Sequence, residues 1–239
     1  MKLDKELCIS CMSCLPYCPM EAISAKGNEV SIDNEKCVDC SVCLNSEICP
    51  VDAFVFEEAP WPRAVRHEFS YPGAGHKSST GSGGRGTEEM KTNDVTGRFQ
   101  RGWVGLACEF GRPGTGAYFR DIEKVALALA KVGVEFEPNN PVTYLMTDKK
   151  TGKFQEDVLN EKVLTAILES KMPIEKLETV LTVLKEAAKA CDTVFSVAVI
   201  NKAEPDGSYP PLPILQKMGI PYYPNGKQNI GLGRPLAKF

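Results

Sequence analysis

The chain has 239 residues, 43% hydrophobic and 25% charged, which is the profile of a folded globular protein and not of a disordered or fibrous one. Its net charge of −3 gives no reason to expect nucleic acid as a partner. No run reaches the roughly 18 apolar residues that span a bilayer, and the opening Met-Lys-Leu-Asp-Lys-Glu has no apolar signal region, so a cytoplasmic protein without membrane insertion is expected.

The charge is unevenly spread. Residues 1–57 hold four Lys against ten Asp and Glu, a balance of −6, and so form an acidic head on a nearly neutral body. Such a head suits docking onto a basic protein patch, or is simply the solvated surface of a small acidic domain.

Eight of the ten cysteines fall within the first 49 residues. Cys8, Cys11, Cys14 and Cys18 are spaced C-x2-C-x2-C-x3-C and followed by Pro19. Cys37, Cys40, Cys43 and Cys49 are spaced C-x2-C-x2-C-x5-C and followed by Pro50. In a reducing compartment this density points to metal and not to disulfides. Short strands are expected at Ala22–Ser24, Val30–Ile32 and Ala53–Phe56, the last repeating the first after the second motif. Paired CxxC sets also suit structural zinc, but two near-repeated four-cysteine sets, each closing on Cys-Pro, favour iron–sulfur clusters.

This double motif resembles the bacterial two-cluster ferredoxins. The resemblance covers about a quarter of the chain and implies two [4Fe–4S] clusters with crossed ligation, the fourth cysteine of each motif serving the other cluster. It assigns Cys8, Cys11, Cys14 and Cys49 to cluster 1, and Cys37, Cys40, Cys43 and Cys18 to cluster 2. The x5 spacing departs from the family's x3, so Asn45–Ile48 enlarges the loop before Cys49. Cys108 and Cys191 lie in apolar settings and are expected to pack as small hydrophobes.

Residues 58–102, rich in Gly, Ser and Pro, are expected to form a linker or an extended arm, with Trp61, Phe69, Tyr71 and Phe99 favouring the arm. His67 and His76 read as solvated loop histidines. From Trp103 an α+β domain is expected to run to residue 204, with a Pro-rich extension over 205–239. Trp103–Phe110 reads as a buried strand, and Ile122, Val125, Leu127, Leu129 and Val132 mark a helix stopped by Gly133. Strands are expected at Val134–Phe136 and Val142–Met146, helices at Asp157–Ser170 and Pro173–Ala190, and a strand at Thr193–Ile200. That order suggests a split β-α-β layer with helices on one face.

Between the strand at 103–110 and the helix, Gly111, Arg112, Gly114 and Gly116, with Arg120 beyond them, form a candidate anion or ligand loop, since backbone N–H groups at a helix start attract anions. The same glycines equally suit a plain tight turn. A similar string, Gly231-Leu-Gly-Arg234-Pro235, recurs near the C-terminus.

Residues Gly86–Arg98, with Gly111-Arg-Pro-Gly and Phe119–Lys124, resemble the 6-hydroxynicotinate reductase type of iron–sulfur protein. That resemblance implies an anaerobic reductase system acting on a heteroaromatic or conjugated ring. No nucleotide fingerprint is present, so any flavin is expected on a separate flavoprotein partner. Three functions stay open at this point: an electron-transfer subunit of a larger redox enzyme, a self-contained reductase of a small aromatic or conjugated acid, and a ligand-responsive redox sensor.

Overall fold

The computed structural model describes residues 1–77, 97–112 and 114–223. The glycine-rich stretch 78–96, which includes most of the reductase-like segment, lies outside the described residues. So do Pro113 and the Gly231–Pro235 string.

The N-terminal part is two copies of one unit. β1 (Lys2–Leu3) pairs antiparallel with β4 (Phe54–Val55), and β2 (Ile23–Lys26) turns through Gly27 into β3 (Glu29–Ile32). The internal repeat extends to single bonds. The Asp4 carbonyl accepts from Cys8 N, and the Asp33 carbonyl accepts from Cys37 N. Asp4 Oδ1 takes the N–H groups of Glu6 and Leu7, and Asp33 Oδ1 those of Glu35 and Lys36. Up to the third cysteine the copies are offset by 29 residues, and after the fourth by 31. The two extra residues turn the single 3-10 turn at Leu15–Tyr17 into α1 (Val42–Asn45) in the second copy.

The C-terminal part is built on a four-stranded antiparallel sheet in the order β12-β5-β11-β7, with β5 at Trp103–Phe110, β7 at Glu135–Phe136, β11 at Ala166–Pro173 and β12 at Phe195–Asn201. Helix α3 (Phe119–Lys131) joins β5 to β7, and α5 (Leu177–Ala188) joins β11 to β12. Each helix thus bridges two parallel strands with a third strand between them. The register sets Phe110 against Ala166, Cys108 against Leu168 and Val104 against Met172, all on the face toward the helices. There they meet Ile122, Val125 and Leu129 of α3 and Val180 and Leu184 of α5 in one core. Gly133, at φ 73°, closes α3 as the sequence requires.

Two expected elements change type. The helix expected over Asp157–Ser170 is a 3-10 turn (Glu156–Val158), then β10 (Lys162–Val163) and β11. β11 is an inner strand with one face wholly buried and Glu169 buried on the other, so the polar-apolar alternation that betrays a strand is broken at its centre. The strand expected over Val142–Met146 begins instead as α4 (Pro141–Tyr144), because Asn140 caps it by accepting from Val142 N at 2.8 Å and Pro141 fits its first turn. Only Met146–Asp148, as β8, is extended; it pairs with β9 (Lys153–Phe154).

Residues just after 58 are not an arm. α2 (Ala64–Ser70) places Val65 and Phe69, four residues apart, into the C-terminal core, with Phe69 edge-on to Phe119 at 5.2 Å. His76 is fully buried and edge-on to Phe69 at 4.6 Å, so it is a core residue and not a solvated one. His67 is partly buried, stacked on Phe56 at 4.0 Å. In the expected Pro-rich extension, α6 (Pro211–Lys217) packs Leu215 onto the core.

Cys108 lies fully buried mid-strand, and burial pushes its thiol from 9.0 up to about 12. Because the folded state favours the protonated thiol, that contribution to stability is whole below about pH 9 and is lost as pH rises toward about 12. Unfolding free energy should therefore fall above about pH 9 by up to about 1.4 kcal/mol per pH unit more in the natural chain than in Cys108→Ala. Denaturant titrations of both proteins across that range check it; parallel pH profiles would refute it.

Candidate metal centre

The cysteine loops are shaped by an unusual backbone. Among the described residues, all seven non-glycine residues with positive φ lie between Ser10 and Asp52. Six fall into pairs under the internal repeat: Ser10 with Asp39, Met12 with Ser41, and Glu21 with Asp52. The seventh, Glu47, sits in the enlarged loop. The left-handed conformation costs an L-residue about 1–2 kcal/mol, so such repetition needs a return. Alternating left-handed turns point successive N–H groups to the inside of each loop, where sulfur atoms can accept them. Two such bonds are made in repeat-related positions, Ala22 N to Cys18 Sγ at 3.2 Å and Ala53 N to Cys49 Sγ at 3.3 Å.

Electrostatic neighbours divide the eight thiols into two groups. Burial pushes the Cys14 thiol up, and the thiols of Cys11, Cys8 and Cys49 add to the shift. Burial pushes Cys43 up to about 12, with Cys40, Cys37 and Cys18 adding. Each group holds three cysteines of one motif and the fourth of the other. Burial likewise pushes Cys37 up to about 11, whereas a hydrogen bond from the Ser13 side chain holds the exposed Cys11 thiol below its usual value. Two open groups of four thiols, fed by inward N–H donors, suit a many-atom cluster with a ligand at each iron corner.

The second group is covered by the rest of the chain. Arg66, buried on α2, donates from Nη1 to the carbonyls of Asn34 and Cys37, both at 2.9 Å, and of Glu35 at 3.3 Å. Its Nε pairs with Glu161 of the C-terminal part. Arg63 reaches the Asn34 carbonyl at 2.9 Å and Asp39 Oδ2 at 3.1 Å, and His67 Nδ1 lies 2.8 Å from the Asp39 carbonyl. Leu164 packs against the small cluster of Met20, Ala22 and Val38, on which Cys18, Cys37 and Cys40 also pack. The Leu164 N–H donates to Ser70 Oγ at 2.9 Å.

The loop at 111–116 belongs to this cover. A Cβ on Gly116, at φ 66°, would lie 2.8 Å from Met20 Cε and 2.9 Å from the Val163 carbonyl. Gly114 faces the Pro19 carbonyl. A Cβ on Gly111, at φ 80°, would lie 2.6 Å from the Leu164 carbonyl. The two arginines expected to hold an anion are engaged within the protein. Arg112 Nη1 pairs with Glu109 at 2.6 Å, and Arg120 lies over the Tyr118 ring at 3.7 Å and bonds Asn160. At the start of α3, the N–H groups of Phe119 and Arg120 already donate to the carbonyls of Glu161 and Leu159.

Sequence reasoning missed Arg63, Arg66, Glu161 and Leu164. A trace of α2 was present in Trp-Pro-Arg-Ala-Val-Arg-His-Glu-Phe, where apolar residues four apart share one face and Arg63 and Arg66 share another.

A family model for the 4Fe-4S dicluster domain matches residues 1–69, which takes in both cysteine motifs and nearly all of α2. By this N-terminal domain the chain belongs to the dicluster ferredoxins. Ferredoxin-2 of Chlorobaculum tepidum is 39% identical over 54 residues, 20% of this chain and 84% of its own length. Ferredoxin-1 of Rhodobacter capsulatus is 45% identical over 40 residues, 17% of this chain and 62% of its own. Pyruvate synthase subunit PorD of Methanocaldococcus jannaschii is 40% identical over 52 residues, 21% of this chain and 58% of its own. The ferredoxin domain thus spans about three-fifths of the length of the last two. No solved structure matches the chain. The domain is an iron–sulfur, ferredoxin-like electron-transfer domain, and among the described residues no helix is long and apolar enough to cross a membrane.

Proposed function

We propose that this chain is the electron-transfer subunit of a larger anaerobic redox enzyme in the cytoplasm. The ferredoxin domain holds two [4Fe–4S] clusters, one on Cys8, Cys11, Cys14 and Cys49 and the other on Cys37, Cys40, Cys43 and Cys18. When bound, such clusters supply reversible one-electron storage at low potential. The chain's own residues wrap the sulfurs, direct N–H groups at them, and exclude water from the second set through Arg66, Leu164 and the 111–116 loop.

The observation that carries this reading is the unequal cover of the two motif loops: Val38, Asp39 and Ser41 are buried beside α2 and the α+β domain, whereas Ile9, Cys11 and Met12 are exposed. That gives a relay with an inner and an outer end. The likeness to a protein named as a pyruvate synthase subunit adds support for a multi-subunit setting. The flavin needed for two-electron chemistry on an organic substrate belongs, in this reading, to a flavoprotein partner.

Anaerobic purification from the native host, with metal analysis and mass spectrometry of whatever stays bound, tests it. The expected result is about eight iron and eight sulfide per chain, from two four-iron clusters, with a stoichiometric larger subunit. Stoichiometric zinc, or a chain that emerges alone, would sink it.

The alternative of a self-contained reductase or sensor has one observation in its favour. A cleft of about 240 Å³ lies along the paired strands β7 and β11 beside residues 98 and 99, lined by Phe99, Phe136, Glu169 and Lys171 and by Arg98, which pairs with Glu137 at 2.6 Å. Ser170, on its wall, is six residues from Leu164, roughly 20 Å at about 3.3 Å per residue, a long way from the covered cysteines. Substrate turnover by the isolated chain would bring that reading forward.

A further inference from the structure

The internal repeat provides its own control for what a cysteine loop looks like when covered. Ile9 and Val38 are equivalent positions, both following the first cysteine of their motif; Ile9 is 62% exposed and Val38 1%. Met12 and Ser41, equivalent again, are 38% and 4% exposed. Leu7 is exposed beside them, and Cys11 is the exposed cysteine of the eight. In the second copy, arginines bond the carbonyls of Asn34, Glu35 and Cys37. Their counterparts are the carbonyls of Lys5, Glu6 and Cys8, and among the described residues no arginine reaches them. At Ile9 and Met12 the first loop therefore offers solvent an apolar surface that its twin, at Val38 and Ser41, keeps covered, and its carbonyls lack the arginine donors the twin has among the described residues.

The charge around it is mainly acidic. Residues 6–25 contain no Lys or Arg, Glu6 and Glu47 are exposed, and Lys5 is held by Glu29 at 2.5 Å. We infer that the loop carrying Leu7, Ile9 and Met12 is the electron port, and that it docks a basic redox protein. That protein fills the apolar centre and brings Arg or Lys to the carbonyls of Lys5, Glu6 and Cys8, as α2 does for the second loop. An acidic rim around an apolar centre selects such a partner and steers it into register. The covered group is then the inner end of the relay. This inference rests on the electron-transfer reading above.

Ferricytochrome c, a basic protein with an exposed haem edge, serves as the probe. Binding of the oxidised, cluster-loaded full chain is followed by calorimetry at low ionic strength, where the Debye length is about 30 Å. Salt-sensitive binding is expected. Ile9→Ser and Met12→Ser should each weaken it about threefold to tenfold, and Glu6→Lys should weaken it further and flatten the salt dependence. Leu44→Ser, at the exposed residue beside Cys43 of the other group, should leave it unchanged. Unaltered binding by the Ile9 and Met12 variants, or a loss confined to Leu44→Ser, overturns the port.

A kinetic arm separates the two readings. One electron passes from the dithionite-reduced chain to the haem, leaving ferrous cytochrome and the reoxidised chain. If the Ile9 and Met12 variants reduce cytochrome as fast as the natural chain, electron transfer stands and the port falls. If no form reduces it, both fall.

Discussion

Replacing Arg66 by Ala should cost about 3–5 kcal/mol, a large share of the stability of a domain this size. The residue is 4% exposed and its side chain serves four acceptors at once: the carboxylate of Glu161 and the carbonyls of Asn34, Glu35 and Cys37. Its removal leaves a mostly buried carboxylate and three carbonyls without their donor, and unpaired buried groups cost more than the intact pair contributes. Chemical denaturation of the anaerobic cluster-loaded chain would show it as a lower midpoint. Arg66→Ala with Glu161→Ala should recover part of the loss, because the stranded charge is gone. Arg66→Lys should rescue little, since an ammonium lacks the planar fork that spans two directions. A loss below about 1 kcal/mol for Arg66→Ala would show that the clamp does not hold the two parts together.

The second large effect concerns the third and fourth cysteines of the first motif. Cys14→Ala and Cys18→Ala lie four residues apart in one motif, yet they should damage different clusters. Each variant should lose about half of the iron, since each removes one ligand from one four-iron group. Cys14→Ala should keep the covered group and Cys18→Ala the outward one. The iron left in Cys14→Ala should therefore leave more slowly to a chelator, because Arg66 of α2 and the Met20, Ala22, Val38 cluster under Leu164 cover the loop that holds it. Electron paramagnetic resonance of the two reduced variants should give distinct spectra. The same spectrum and the same chelation rate from both would refute the crossed grouping.

Local sequence carried much of this. The cysteine spacing, the Cys-Pro endings and the repeat of short strands mark two copies of a loop that must bend back around its own sulfurs. The buried strand at 103–110, the helix closed by Gly133 and the strand ending near residue 200 are legible because each shows its period over enough residues to be recognised. β11 was not. Glu169 and Ser170 are buried on opposite faces of an inner strand, so Ala166–Ser170 follows no alternation. Val163, Leu164, Ile167 and Leu168 meanwhile imitate a helical stripe.

The glycine loop at 111–116 shows the limit from the other side. Glycines at a strand-to-helix turn are compatible with anion binding and with close packing alike, and composition does not choose between them. The neighbours do: Met20, the Pro19 carbonyl and the Leu164 carbonyl lie where side chains would otherwise go.

By itself the sequence determined the chemistry of the head: eight thiols in two repeated loops, their spacing, and an acidic surface around them. Only the tertiary structure decided which loop is covered and which is bare. Arg66 meets Glu161 across 95 positions and Trp61 meets Asp157 across 96, and no pattern within a few turns of chain can encode such a meeting. Two loops with the same C-x2-C-x2-C spacing and the same left-handed turns were thus made unequal by contacts that form only when the whole chain closes, since burial belongs to the folded body and not to the segment.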